Sequence, residues 1–286
     1  MSDMLSPKQV AMAIGVSEAS IKRWCDQGLL RATRTMGGHR RLSRADVIQF
    51  LKFDGIPLVQ PSVLGLPSMT GSTIEVSIHV ASHLTDALAA GDQERARCLV
   101  INYFLSGKSA VETFDEVIAP AFHNLGEQWK CDRLDIFEER RGCEIALTIL
   151  RELESLIPEP VQSMGLAACA TLQDDRYQIP LAMVSMALKE SGWTVEKLGT
   201  HLPGKSLEKA VDILKPKIFC VSVSHISLLD RLRDELRSLH KKIKTVGGTL
   251  IVGGQALSDD IRKELFFDVF CDDLKRLESF VKTHKV

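Results

Sequence analysis

The chain has 286 residues, 45% hydrophobic and 26% charged, with a formal net charge of -1; that length exceeds one ordinary core, and the composition excludes fibrous and disordered classes. No apolar run reaches the roughly 18 residues a membrane helix needs, and the N-terminal MSDMLSPK lacks an apolar signal segment, so neither membrane insertion nor export is expected and the cytoplasm is the default compartment. The seven cysteines are scattered and form no C-x-x-C pair, which suits reduced structural thiols rather than a disulfide framework or a zinc site.

In chain order, Ser6 is positioned to cap a first helix with Pro7 at its first position, and the helical pattern stops at Gly15. Ser17 caps a second helix on which Ile21 and Leu29 or Leu30 face the first, while Lys22 and Arg23 point away. Thr33 to Arg41 carries a Gly37-Gly38 pair suited to a tight hairpin, flanked by Arg34, His39, Arg40 and Arg41. Ser43 then opens a third helix, with Asp46 as its capping-box partner and Val47, Phe50 and Leu51 as its apolar face, closing on Phe53. Two short helices, a basic hairpin and a third helix make a winged helix-turn-helix, with the second helix as groove reader and the hairpin as a wing against phosphates. Residues 1–53 hold nine Lys/Arg against four Asp/Glu, an excess of five, so the remainder carries -6; only this segment suits a polyanion.

The wording SIKRWCDQGLL followed by GGHRR resembles the DNA-binding domain of the MerR family of bacterial regulators. The resemblance implies double-stranded DNA as partner, with Lys22 and Arg23 at the major groove, Arg34, His39, Arg40 and Arg41 on backbone or minor groove, and Trp24 packing beside phosphate.

From Asp54 to Thr73 the composition shifts to Pro, Gly, Ser and Thr without a sustained period, which reads as a linker that lets the reader swing. Residues 74–157 carry apolar positions at helical spacing, broken at Gly91, Gly107 and Cys131–Arg133, giving a four-helix bundle. After Pro158 and Pro160, short apolar runs alternate with helical stretches across residues 161–286, as in a Rossmann-like, flavodoxin-like domain with five parallel strands and any ligand at their C-terminal ends.

This bundle followed by an α/β domain resembles the cobalamin-binding module of methionine synthase and of the CarH/LitR light-responsive regulators, over nearly the whole chain. The matching residues are Trp129 and Glu139 in the bundle, GWTVEKLGTHLP at 192–203, Ser222 at a strand end, and Gly253 and Gly254. The small residues would leave a slot beside the sheet for the corrinoid's nucleotide tail. Three positions depart from the family. The loop after the first strand has a histidine that ligates cobalt, where this chain has Tyr177, followed by Pro180 in place of a glycine; the light-responsive branch has a second histidine after its W-x9-E, where this chain has Arg140. A neutral phenol is a poor donor and a guanidinium has no lone pair to offer. The expectation is therefore a degenerate pocket, no cofactor and no metal, the alternative being an adenosylcobalamin photoreceptor that holds the cofactor base-on or through His201 or His225.

Other constellations are weaker. His79 and His83 lie four apart on a helix without a third donor, Asp174, His201 and His225 fall near the mouth of the expected sheet, and no nucleophile triad, P-loop or catalytic carboxylate pair has a recognisable spacing. The chain thus reads as a non-enzymatic transcription regulator, a repressor of light-responsive genes. It acts as a homodimer or homotetramer, because one reader covers one half-site, and is controlled through its C-terminal region by a regulatory protein, such as a separate photosensor, or another effector. A corrinoid methyltransferase or mutase subunit is the remaining alternative, opposed by the attached reader and by the lack of a substrate domain.

Overall fold

The computed structural model describes residues 4–67 and 79–283, so residues 68–73 of the expected linker and 74–78 of the expected first bundle helix lie outside it. The chain divides into two compact units, Met1–Pro158 and Glu159–Val286.

In the first unit, strand β1 (Met4–Leu5) leads into α1 (Pro7–Ile14) and α2 (Glu18–Asp26), then β2 (Thr33–Arg34), β3 (Arg40–Ser43) and α3 (Arg44–Asp54). Ser6 closes a capping box with Gln9, and Ser17 Oγ and Ser43 Oγ accept from the N–H groups of Ser20 and Asp46 at 3.1 and 3.0 Å, satisfying donors that each helix start leaves orphaned. The order β1-β3-β2 adds a strand absent from the sequence reading, Leu5 pairing with the fully buried Leu42. Ile21 and Leu30 form the core with Val10 and Ile48, whereas Leu29 is 60% exposed, which resolves the choice between the two leucines.

The segment after α3 is not a free tether. Val59 and Gln60 both donate to the Ala13 carbonyl, at 2.8 and 2.9 Å, and a 3-10 turn at Pro61–Leu64 buries Leu64 and Leu66. Gly15 is tied to this return, since its φ of +72° suits the helix end and a Cβ there would stand 2.9 Å from Val59 Cγ2. Residues 59–66 of the expected linker thus pack on the reader's own α1, and residues 68–73 lie outside the described residues.

The bundle contains α4 (Val80–Ala90), α5 (Gln93–Leu105), α6 (Ala110–Thr113), α7 (Ala119–Lys130) and α8 (Ile136–Leu156). A π-helical turn at Phe114–Ile118 joins α6 to α7 into one rod. It falls just before Pro120, whose ring would crowd the carbonyl four residues back; the widened turn absorbs that conflict. Phe114, Leu84, Leu88, Ile101, Leu125 and Leu153 fill the centre.

The second unit runs β4 (Leu166–Leu172), α9 (Gln178–Glu190), β5 (Thr194–Leu202), α10 (Gly204–Leu214), β6 (Ile218–Ser222), α11 (Leu229–Thr245), β7 (Thr249–Gly253), α12 (Asp259–Lys263), β8 (Val269–Cys271) and α13 (Leu274–Thr283). All five strands pair in parallel in the order β5-β4-β6-β7-β8, a flavodoxin-like doubly wound sheet whose switch point lies between β4 and β6. The inner strands read as continuous apolar runs because helices cover both faces, and α11 buries Leu232, Leu236, Leu239 and Ile243 beneath its charged face. Trp193 is fully buried, its Nε1 donating to the Val281 carbonyl at 3.4 Å.

Candidate functional site

Two groups of residues merit a site reading, one in each unit. The first is the basic face of the helix-turn-helix. Lys22 and Arg23 stand exposed on α2 because Ile21 and Leu30 claim its inner side. Lys22 pairs with Glu18 at 2.7 Å across one helical turn, an exposed pair that adds little stability and yields readily to a competing phosphate. The hairpin is a type I turn closed by a left-handed Gly38 (φ +78°), with Gly38 N donating to Thr35 O at 2.9 Å and Thr35 N to His39 O at 2.9 Å; Gly37 has no positive φ, so one glycine of the pair does the conformational work. Met36 stands wholly exposed at the tip, beside exposed Arg34 and His39.

Not every expected contact keeps its expected place. Arg40 Nη2 binds Asp26 Oδ1 at 2.5 Å, so this guanidinium braces the wing against the end of α2. Trp24, expected beside phosphate, is half-buried with its ring against Phe50, centroids 5.3 Å apart, which joins α2 to α3. Arg23, Arg34 and Arg41 have no ion-pair partner among the described residues. Arg31, which the sequence reading passed over, is exposed and unpaired in the same way just before the wing; its place between two basic clusters was the available signal.

The second group lies at the C-terminal ends of β4, β5 and β6. Register shifts between β4 and β5 insert extra residues on β5, and such bulges re-aim side chains. Asp174 and His201 both adopt left-handed backbone (φ +73° and +60°), and they meet: Asp174 N donates to His201 Nδ1 at 2.8 Å, while His201 N donates to Asp175 O and Thr171 Oγ1, both at 2.9 Å. Because Nδ1 accepts, the neutral ring carries its proton on Nε2, leaving no lone pair there for a metal. The Asp174 carboxylate takes Ser227 Oγ at 2.7 Å and Arg231 Nη1 at 2.6 Å, and these partners hold it below the usual carboxylate range. Asp175, 2% exposed, accepts from the backbone N–H groups of Tyr177, Ser224 and His225. Burial raises the Glu235 carboxyl, although Gly204 N donates to it at 3.1 Å.

The glycines at the expected slot beside Ser222 stand close to neighbouring backbone. A Cβ on Gly253 would lie 2.6 Å from Cys271 O, and one on Gly254 2.2 Å from Val223 O. The glycines let neighbouring backbone approach and leave no opening of their own. Ser222 is buried, and beside it the cleft lined by Asp175, His225 and Glu235 has about 20 Å3 of room, enough for one water. Tyr177 stands 43% exposed at the start of α9. On the bundle, Trp129 is 49% exposed, Arg140 lies on the surface, and Glu139 accepts from Cys143 Sγ at 3.3 Å, burial and that carboxylate pushing the thiol up to about 12. His79 and His83 sit one turn apart at the start of α4, and among the described residues no group of three donors could hold a metal ion.

A winged DNA reader joined to a corrinoid-type bundle and sheet defines a two-part regulator, and comparison with known proteins bears this out. Residues 4–53 match the helix-turn-helix domain family and residues 80–154 the B12 binding domain family. The chain is 24% identical over 275 residues to the HTH-type transcriptional repressor CarH of Myxococcus xanthus, covering 88% of this chain and 91% of that one. The monomethylamine corrinoid protein of Methanosarcina barkeri shares the fold at a TM-score of 0.59 and 15% identity, over 71% of this chain and 97% of that one. In its domain make-up the chain is similar to that repressor, a helix-turn-helix domain followed by a B12 binding domain.

The expectation of no cofactor is overturned by the B12 binding domain match, the CarH relative and the corrinoid-protein fold, which together point to cobalamin. Holding it by a histidine at position 177, 140 or 201 does not fit the residues present. Position 177 is a tyrosine, position 140 an arginine, and His201 spends Nδ1 on a backbone N–H.

Proposed function

We propose that this protein is a DNA-binding transcriptional repressor, not an enzyme, that reads duplex DNA with α2 and the β2–β3 wing and is controlled through residues 80–283. The observation that carries the reading is the set of uncommitted guanidiniums at Arg23, Arg34 and Arg41, held by a capped helix and a closed hairpin on the face opposite the core. In this assignment Arg23 and Lys22 reach base edges and phosphate in the major groove, while Arg34, His39 and Arg41 hold the backbone. Two or more readers act together on repeated half-sites, so the working form is a homo-oligomer. The repressed genes are light-responsive, and a separate protein acting on the C-terminal region relieves repression; the likeness to a transcriptional repressor supports the repressor role, and the exposed Trp129, Ile136 and Phe137 offer apolar surface to such a partner.

The test is a fluorescence-anisotropy titration of operator and random duplex across roughly 50–200 mM salt. Each reader is expected to contribute a slope near -3 in log affinity against log salt from Lys22, Arg34 and Arg41 on phosphates, at about -0.9 per phosphate contact. Salt-independent binding, or none, would refute the reading. Cobalamin is tested separately, by equilibrating the full chain with adenosylcobalamin in the dark and recording the absorption retained after desalting; retention is the outcome the domain match leads to.

A further inference from the structure

The DNA reader and the bundle are joined through one carboxylate. Glu152, near the end of α8, takes Arg97 of α5 in a bidentate pair, Nε to Oε2 at 2.6 Å and Nη2 to Oε1 at 2.9 Å. The same carboxylate takes Arg44 Nη2 at 3.3 Å. Both arginines also donate to the Gly65 carbonyl, at 2.8 and 3.3 Å, so the segment following the reader is held by the same guanidiniums. The three side chains are only 16–22% exposed, where a bidentate, charge-assisted pair is specific in direction as well as strong. Burial raises the Glu152 carboxyl, but the two arginines outweigh it and hold the group below its usual range.

Arg44 is the first residue of α3 and directly follows the wing strand β3. At the other end of α3, Lys52 Nζ donates to the Lys108 carbonyl at 2.7 Å and lies 3.3 Å from the centre of the Phe104 ring. The third helix of the reader is therefore pinned to the bundle at both ends. The helix that carries Glu152 also carries Glu139 and Arg140, 12–13 residues earlier and so roughly 20 Å away along a rigid rod.

We propose that Glu152 is a positioning residue for DNA binding: by gripping Arg44 and Arg97 it fixes the wing on the bundle, so the spacing and orientation of half-sites are set by the bundle rather than by a loose tether. This rests on the DNA reading above. A clamped reader transmits any movement of α8 to the wing, and a released one does not.

The experiment uses the full-length chain and duplexes selected by it from random DNA, carrying either one half-site or two with the spacing varied by half a helical turn. For wild type, changing the spacing by about 5 base pairs should weaken paired-site binding about tenfold. For E152Q the same change should cost less than about threefold, with single-half-site affinity unchanged within about twofold. R44Q releases the wing while leaving the Arg97–Glu152 pair in place, so it gives the same readout if E152Q folds poorly. A merely structural role would lower single-site affinity in step with the melting temperature and leave the spacing dependence untouched. That pattern, spacing dependence in R44Q and folded E152Q equal to wild type, or a wild type indifferent to spacing would each overturn the proposal. Failure of wild type to bind any duplex would instead refute the DNA reading itself.

Discussion

Gly254→Ala separates two accounts of the strand end after β7. If this glycine leaves room for a ligand, an added methyl should block binding and leave the fold alone. The structure gives the opposite weighting. Gly254 has φ +128°, a region side chains rarely adopt, and its Cβ would stand 2.2, 2.6 and 2.7 Å from the O, C and N atoms of Val223. Backbone cannot swing aside as a side chain would. The strained conformation costs about 1–3 kcal/mol, and forcing an atom into packed backbone about 1–3 kcal/mol more, giving about 2–6 kcal/mol in all. For a unit the size of residues 159–286, that lowers the midpoint by about 10–20 °C. Calorimetry of the full chain, with Trp193 emission assigning the transition of the second unit, reads the change; Trp193 is fully buried and is the only tryptophan in that unit. Gly253→Ala is the control: it meets only Cys271 O at 2.6 Å, on an edge strand, and has no positive φ, so it should cost about 1–3 kcal/mol. A Gly254→Ala midpoint within about 2 °C of wild type would refute the backbone-contact account.

The wing and the reading helix should respond differently to loss of charge. Arg23→Ala should relax preference at one base position by about 1–3 kcal/mol, whereas Arg41→Ala should weaken all sequences alike and reduce the salt slope by about one unit; selection from random duplexes followed by salt titration checks both. Arg40→Ala should reduce the salt slope by less than Arg41→Ala, because its guanidinium is engaged with Asp26. Removing the N-cap of the reading helix by Ser17→Ala, which loses the 3.1 Å bond from Ser20 N, should cost about 1 kcal/mol in urea unfolding of the first unit. The carboxyls of Glu112, Glu152 and Asp268 are held below their usual ranges, so each adds stability that is full above its unfolded pKa, near 4, and is lost as pH falls through the lower folded value. Stability measured against pH should fall below about 4.5, and the fall should be shallower in Glu152→Gln.

How far the sequence could be read depended on whether the signal was local. Ser6, Ser17 and Ser43 cap the helices they precede, and the alternation of apolar runs with amphipathic helices was enough to recover the five-stranded parallel sheet. Strand β1 was missed because two residues carry no period, and the π-helical turn because Pro120 sits in an otherwise unbroken helical pattern. The packing of the first part of the linker was missed for a related reason. Its Pro, Gly and Ser content describes a chain that cannot form regular structure, yet Pro61, Leu64 and Leu66 are still buried as irregular chain. The clamp was invisible because Arg44, Arg97 and Glu152 lie 53 and 55 positions apart in sequence, and nothing in any one of their neighbourhoods distinguishes them from solvated charges.

The loop after β4 shows why placing a histidine at position 177 would not by itself recreate an axial ligand. An imidazole that binds a metal through one nitrogen needs its other nitrogen held, usually by a carboxylate or a carbonyl, so that the tautomer is fixed. The carboxylate nearest in sequence is Asp175, and its oxygens already accept from the backbone N–H groups of Tyr177, Ser224 and His225 at 3.0, 2.6 and 3.4 Å. Drawing Asp175 away to orient a new imidazole would take the acceptor from part-buried donors in two loops, at about 1 kcal/mol each. Asp175 here ties the loop after β4 to the loop after β6, a structural task for a carboxylate that would otherwise be free to serve a ligand. Tyr177→His is therefore expected to leave the stability and the absorption of added hydroxocobalamin as in wild type; a histidine-dependent change in that spectrum would show that the Asp175 network gives way.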